Sequence, residues 1–344
     1  MKKVLIAMSG GVDSSAAAVL LRDAGYDCAG ATLALCGDGA ADARAVSEAL
    51  DMPFFVFDER EAFARRVMDK FVSEYRALRT PNPCIDCNRE LKFGAFLDRA
   101  LEMGFDYIAT GHYARVEYDT SAGRYRLLRG RDRAKDQSYV LYQLTQEKLS
   151  HLLLPVGEFD KPRIRKIAAR AGLLTAGKKD SQDICFIPDG DTLRFLREYG
   201  GVSSPAGSFV DKDGKILGRH DGLIGYTAGQ RKGLGVSGGR RLYVVARDAE
   251  KNTVLLGDEA DLFAPSLFAS RVNWITDAPT GEVRCTARTR YSQGECACTV
   301  MPLPDGTVRV DFDTPQRAVT AGQAVVFYDG DAVLGGGTIE RAET

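Results

Sequence analysis

Ser9-Gly10-Gly11-Val12-Asp13-Ser14-Ser15 is the stretch of this chain best suited to holding an anion. Two adjacent glycines let backbone N–H groups come close to a ligand, and a helix starting at Ser14 brings the positive end of its dipole. The serines add hydroxyl donors, so phosphate chemistry is the natural use. A Walker-type loop carries lysine directly after its last glycine, whereas Val12-Asp13 follow here, so transfer of a γ-phosphate is not expected. Asp13 is a candidate for acid–base help, with capping of the helix as its plainer role. Sulfur supplies the second reactive group. Cys84 and Cys87 form a CxxC inside Thr80–Asn88, TPNPCIDCN, which its two prolines mark as a loop, and Cys185 lies in another polar loop, Lys178–Gly190. A single CxxC serves redox, zinc or iron–sulfur chemistry, and the second CxxC of a zinc ribbon is absent. Cys28, Cys36 and Cys285 read as core residues, and Cys296 and Cys298 as neighbours on one face of a strand.

These residues need elements to hold them. Lys2–Met8 reads as a buried parallel strand feeding the glycine turn, and Ser14–Arg22 as the helix that follows it. Asp27–Cys36, Met52–Asp58 and Asp106–Gly111 read as further strands. Ala40–Leu50, Glu61–Arg79, Arg89–Met103 and the basic Asp160–Ala171 read as helices. The alternation implies a parallel sheet covered on both faces, with ligands bound outside the carboxyl ends of its strands, where the glycine loop emerges. Arg124–Lys135 holds six basic residues against one Asp, a solvated face that can also offer phosphate contacts. From about Gly200 helical periods give way to glycine-rich turns and short alternating segments such as Thr253–Leu256 and Val308–Phe312. The expected fold is an α/β parallel-sheet catalytic domain over 1–198, a small β-rich linking domain over 199–262 and a C-terminal β-barrel over 263–344.

A chain of 344 residues with 44% hydrophobic and 27% charged positions is that of an ordinary soluble protein with two or three cores. No apolar run is long enough to span a membrane, and the one after Lys2-Lys3 is too short for a signal segment. Eight dispersed cysteines without secretory features argue against a disulfide scaffold, so a cytoplasmic location is expected. A net charge of −1 gives no global attraction to nucleic acid, and RNA would be held by local basic patches.

The SGGVDSS string resembles the pyrophosphatase (PP) loop of the N-type ATP pyrophosphatases, which cleave ATP between its α- and β-phosphates and pass AMP to an acceptor. Further motifs follow in order: TPNPxxxCN, TGHYAR at Thr110–Arg115, KDQSYVLY at Lys135–Tyr142 and SxxxCFI at Ser181–Ile187. GxxxYTxGQRxGLG at Gly222–Gly235, RYSQ at Arg290–Gln293 and Ala321-Gly322-Gln323 complete the series. Over nearly its whole length the chain resembles the bacterial tRNA-specific 2-thiouridylases. That resemblance implies a PP-loop domain of the adenine nucleotide α-hydrolase type, using ATP with Mg2+ to adenylate the C2 oxygen of the wobble uridine before sulfur replaces it. It places ATP against Ala7, Met8, Ser9, Gly10, Gly11, Val12, Asp13, Ser14, Ser15, Leu33 and Gly111.

By the same resemblance Cys185 carries the sulfur as a persulfide, and Cys87 closes a disulfide with it as the sulfur leaves. The anticodon region of tRNA is implied to meet Asn82, Pro83, Cys84, His112, Lys135, Asp136, Gln137, Arg290, Tyr291 and Gln323. A persulfide carrier protein or sulfide is the implied sulfur donor. The chemistry is consistent: oxygen is a poor leaving group until adenylated, and an electropositive ATP site would favour the reactive thiolate. Many family members carry Asp where Cys84 stands. A third cysteine there raises an alternative, in which Cys84, Cys87 and Cys185 hold a four-iron four-sulfur cluster that binds hydrosulfide. A further alternative is a PP-loop synthetase or amidotransferase acting on a small acid, which needs neither the paired cysteines nor the β domains.

Overall fold

The computed structural model describes residues 1–36, 40–178, 184–236 and 241–343. At its centre Val4, Leu5 and Ile6 of β1 (Lys3–Ala7) are fully buried, because parallel neighbours flank the strand on both edges. These are β2 (Asp27–Ala34) and β4 (Tyr107–Ala109); β3 (Phe54–Asp58) and β7 (Leu152–Leu153) extend the sheet to the order β3-β2-β1-β4-β7. Helices Val12–Asp23, Ala40–Ala49 and Lys161–Arg170 bury Ala16, Val46 and Ile164 on one face. The 83–102 helix buries Phe93, Phe96 and Leu97 on the other.

That second helix corrects an expectation. TPNPCIDCN reads as a loop because of its prolines, but Pro83 occupies the first helical position, where its missing N–H costs nothing. Asn82 caps the helix, its side-chain oxygen accepting from Cys84 N at 3.1 Å. The CxxC therefore sits on the first turns of a helix. The helix widens into i→i+5 bonding at Asn88–Ala95, and the 60–76 helix does the same at Ala64–Met68. Such widened turns gather at functional sites, and here both border Cys87.

The middle of the chain forms a four-stranded sheet from β8 (Gly207–Val210), β9 (Ile216–His220), β10 (Tyr243–Asp248) and β11 (Thr253–Gly257), packed around Phe209 and Val254. The last third is a six-stranded barrel of β12 (Phe263–Trp274), β13 (Val283–Arg288), β14 (Cys296–Pro302), β15 (Val308–Arg317), β16 (Ala324–Asp329) and β17 (Ala332–Glu343). Pairing of β12 with β17 closes the ring and removes its open edges.

A hairpin from the first third, β5 (Ala114–Asp119) and β6 (Arg124–Arg129), hydrogen-bonds onto β17. Leu127 and Tyr139 share one buried cluster with Val326 and Tyr328 of the barrel, and Tyr139 Oη donates to Ala324 O at 2.8 Å. The parallel sheet and the barrel are thus joined through a common core.

The basic run Arg124–Lys135 is in part the solvated face expected of it, with Arg126, Arg131 and Arg133 exposed, and in part drawn inside the protein. Arg129 is 5% exposed, lies over the Tyr328 ring and pairs with Glu295 at 2.7 Å. Arg124 pairs with Asp277, Arg126 with Asp119, Arg131 with Glu158 and Arg133 with Asp331. Arg124, Arg126 and Arg129 lie on β6, and Arg131 and Arg133 in the turn after it. Among the described residues no helix is long and apolar enough to cross a membrane.

Candidate active site

The glycine loop ends at Gly11, which caps the Val12–Asp23 helix without any side-chain hydrogen bond. Asp13 is therefore not the cap, and amide donors of the first turn stay available to an anion. Ser15 Oγ donates to Gly11 O at 2.8 Å and Ser14 Oγ to the same oxygen at 3.2 Å, while Ser9 N donates to Ser14 Oγ at 3.2 Å. Gly10 takes φ +72°, a conformation side chains disfavour. A Cβ on Gly111 would lie 2.6 Å from Ser14 N, so that glycine allows the turn after β4 to press against the helix start. Ala7 and Met8 end β1, with Met8 N bonded to Ala31 O at 2.8 Å, and Val12 is buried in the core. Leu33 packs toward Cys87.

Asp13 faces a fixed constellation. Its carboxylate accepts from Tyr113 Oη at 2.7 Å and from Lys161 Nζ at 2.8 Å through each oxygen. Lys178 Nζ donates to Gly10 O at 3.4 Å and pairs with Asp42. Lysines are thus present at the loop, but they come from the basic Lys161–Arg170 helix and from position 178 rather than from the loop itself. The only advance sign of Lys161 was the charge of that helix.

Cys87 is buried among Phe63, Val67 and Leu91, and Cys84 is exposed one turn earlier. Phe186 anchors the segment that carries Cys185, its ring packing on Phe63, Phe71 and Phe195 with centroids 5.7, 5.4 and 5.0 Å away. Ser181, with the rest of 179–183, lies outside the described residues, as do residues 37–39. Burial, then the nearby Cys36 and Cys87, pushes the Cys185 thiol up to about 12. Burial likewise raises Cys87, with Lys92 opposing it. The site as it stands therefore does not favour thiolates, contrary to the expectation of an electropositive setting. Iodoacetamide should accordingly alkylate Cys185 at pH 7.5 roughly fifty-fold more slowly than a free cysteine, the rate climbing with each pH step toward 11. A rate that levels off below pH 8 would contradict it.

Cys36, read from sequence as a core residue, is exposed, and its thiol donates to Cys185 O at 3.6 Å. Cys28 and Cys285 are buried as expected, and Cys298 meets Cys285 across the strands with sulfurs 3.7 Å apart. Among the described residues no group of three His, Cys, Asp or Glu side chains is spaced to hold a metal ion.

The residues that the resemblance assigns to RNA fall into three sets. Asn82, Cys84, Lys135 and Tyr291 reach solvent, Tyr291 at 41% exposure with its ring against Tyr139. Pro83, His112 and Asp136 are buried. His112 bonds Thr110 Oγ1 at 2.7 Å, and burial holds its imidazole well below the usual range, so it is neutral and unsuited to phosphate. Asp136 accepts from Gly130 N and Ser138 N, both at 3.1 Å, and lies 3.5 Å from Arg288. Its oxygens are taken up inside the protein. Gln137 Oε1 accepts from Tyr113 N at 3.0 Å, Gln323 Nε2 donates to Thr80 O at 2.6 Å, and Arg290 donates to Thr320 Oγ1 at 2.6 Å. These three brace the turns around the site.

Family models match the chain end to end: a tRNA methyl transferase HUP domain over 2–189, a PRC-barrel domain over 193–258 and an aminomethyltransferase beta-barrel domain over 265–339. A tRNA-specific 2-thiouridylase MnmA of Moorella thermoacetica is 50% identical over 98% of this chain and 99% of its own length. The enzyme of that name from Acetivibrio thermocellus is 48% identical over the same shares. A crystal structure of a 4-thiouridine synthetase–RNA complex with bound ATP is 17% identical, with a TM-score of 0.36, over 57% of this chain and 50% of that one. Likeness that runs unbroken from the glycine loop through the paired thiols to the last barrel strand places the chain in the tRNA-specific 2-thiouridylase family.

Proposed function

We propose that this protein replaces the C2 oxygen of the tRNA wobble uridine with sulfur, and the observation that carries it is that Phe186, next to Cys185, packs on the apolar cluster that holds Cys87. ATP phosphates meet the uncapped helix start and the glycine loop, with Lys161 and Lys178 adding positive charge nearby. Mg2+ enters with the triphosphate rather than in a protein cage. The uridine O2 attacks the α-phosphorus, the bond to the β-phosphate breaks and pyrophosphate leaves. The outer sulfur of a Cys185 persulfide then attacks C2 and AMP departs. Cys87 attacks Cys185 Sγ, the S–S bond breaks toward the base, and the pair of cysteines is left as a disulfide while C2 keeps its sulfur. A dithiol reductant then returns both cysteines to thiols with two electrons and two protons, and a persulfide carrier protein reloads Cys185.

A small cleft between the 83–102 helix and the barrel, lined by Asn82 and by Lys70, Arg89 and Arg271 paired with Asp86 and Glu74, offers polar groups to RNA. Tyr291 presents an open ring for stacking an unpaired base. Supplied with ATP and unmodified tRNA, the enzyme should release one AMP and one pyrophosphate for each 2-thiouridine formed. ADP and inorganic phosphate as the products would refute adenylation. Pyrophosphate release at the full rate without tRNA would point to a small-molecule acceptor instead.

A further inference from the structure

The reaction described above leaves Cys36 without a part, yet this thiol stands beside both cysteines that carry it out. Cys36 lies two residues beyond the end of β2, on the carboxyl rim of the sheet where the glycine loop also emerges. It is exposed and its thiol donates to the Cys185 carbonyl at 3.6 Å, while Leu35 beside it and Phe186 beside Cys185 both pack against the cluster that encloses Cys87. Cys87 differs from the other two. It is 7% exposed and enclosed by Phe63, Val67 and Leu91, whereas Cys36 and Cys185 belong to exposed residues.

We infer that Cys36 is a second resolving thiol, which takes Cys185 over from Cys87 after each sulfur transfer and so brings the disulfide to the surface. The inference rests on the persulfide route proposed above. In the exchange the Cys36 thiolate attacks Cys185 Sγ in the Cys87–Cys185 disulfide. A Cys36–Cys185 bond forms, the Cys87–Cys185 bond breaks, and the electron pair leaves on Cys87, which takes up the proton Cys36 released. The step is redox-neutral. An external dithiol protein of the thioredoxin class then reduces the new disulfide, supplying two electrons and two protons. Exchange of this kind needs a sulfur open to in-line attack, and reduction by a protein needs room on both sides of the bond. A disulfide that ends on Cys87 has one sulfur sealed in an apolar cluster, while one between Cys36 and Cys185 has neither.

The test uses the full chain, loaded at Cys185 with inorganic polysulfide and given ATP, Mg2+ and one equivalent of tRNA. After acid quench, free thiols are blocked with N-ethylmaleimide and disulfides are mapped by mass spectrometry. The parent should yield chiefly the Cys36–Cys185 link, and Cys36→Ser the Cys87–Cys185 link with a first burst of 2-thiouridine of the same size. Sustained turnover of Cys36→Ser with a thioredoxin-class reductant should fall about tenfold and recover with a small phosphine that needs no docking surface. That recovery separates a resolving thiol from a merely structural one. A parent showing only Cys87–Cys185, with Cys36→Ser cycling as fast, would overturn the inference and leave the persulfide route standing. So would loss of the first burst in Cys36→Ser, which would assign Cys36 to sulfur transfer itself. Thiolation with no disulfide at Cys185 in either protein would sink the persulfide route and the inference together.

Discussion

Cys185→Ala and Cys87→Ala should each make less than about a thousandth of the parent's 2-thiouridine while still releasing pyrophosphate from ATP in the presence of tRNA. One change removes the atom that carries sulfur, and the other removes the thiol that frees it. Neither touches the glycine loop, which is built from the end of β1 and the start of its helix, so adenylation continues. Cys84→Ala should keep activity within about threefold, because Cys84 is exposed on the helix's first turn and the persulfide route gives it no bond to make or break. The measurement is 2-thiouridine formed by each variant prepared without oxygen, beside iron and sulfide analysis of the parent. An inactive Cys84→Ala enzyme that has lost iron held by an active parent would make a cluster the sulfur carrier and end the persulfide assignment.

Asp13→Asn is expected to lose adenylation by a factor of about a hundred or more, while its Kd for tRNA stays within about threefold. The carboxylate accepts one hydrogen bond from Tyr113 and two from Lys161, whose side chain is only 10% exposed. An amide has one accepting oxygen and no charge, so the Lys161 ammonium loses the ionic half of this contact and the first turn of the helix is held less firmly against the 161–170 helix. Pyrophosphate release and filter binding of tRNA separate the two effects. Normal pyrophosphate release by Asp13→Asn would show the constellation to be a brace alone. Lys161→Met should weaken adenylation in the same direction, since it removes the same ion pair from the other side.

The glycine loop was legible from residues alone because its geometry is local. A buried strand, two glycines and a helix start occupy consecutive positions, so composition and order specify the backbone without help from the rest of the chain. Cys87 and Cys185 were singled out differently, by the family resemblance of the motifs around them. The β character of the last third was equally plain from alternation and turn residues. The helix start at Pro83 was missed although its signals, Asn before Pro, were local; the two prolines drew the reading toward a loop.

What only the tertiary structure decided are the contacts between residues far apart in sequence. Lys161 reaches Asp13 across 148 positions and Cys36 reaches Cys185 across 149, and nothing in the local pattern around either partner names the other. Charge pairing was hidden for the same reason. Arg124–Lys135 keeps exposed arginines, but the barrel draws Arg129 inside against Glu295 and pairs Arg124 and Arg133 with Asp277 and Asp331. His112 and Asp136 looked available until burial removed the proton of the first and enclosed the carboxylate of the second. Local conformational preference and hydrophobic period act over a few residues and are written where they act. Ion pairing, desolvation and thiol proximity depend on which distant surfaces the core brings together, and that is settled when the hairpin, sheet and barrel close on one another.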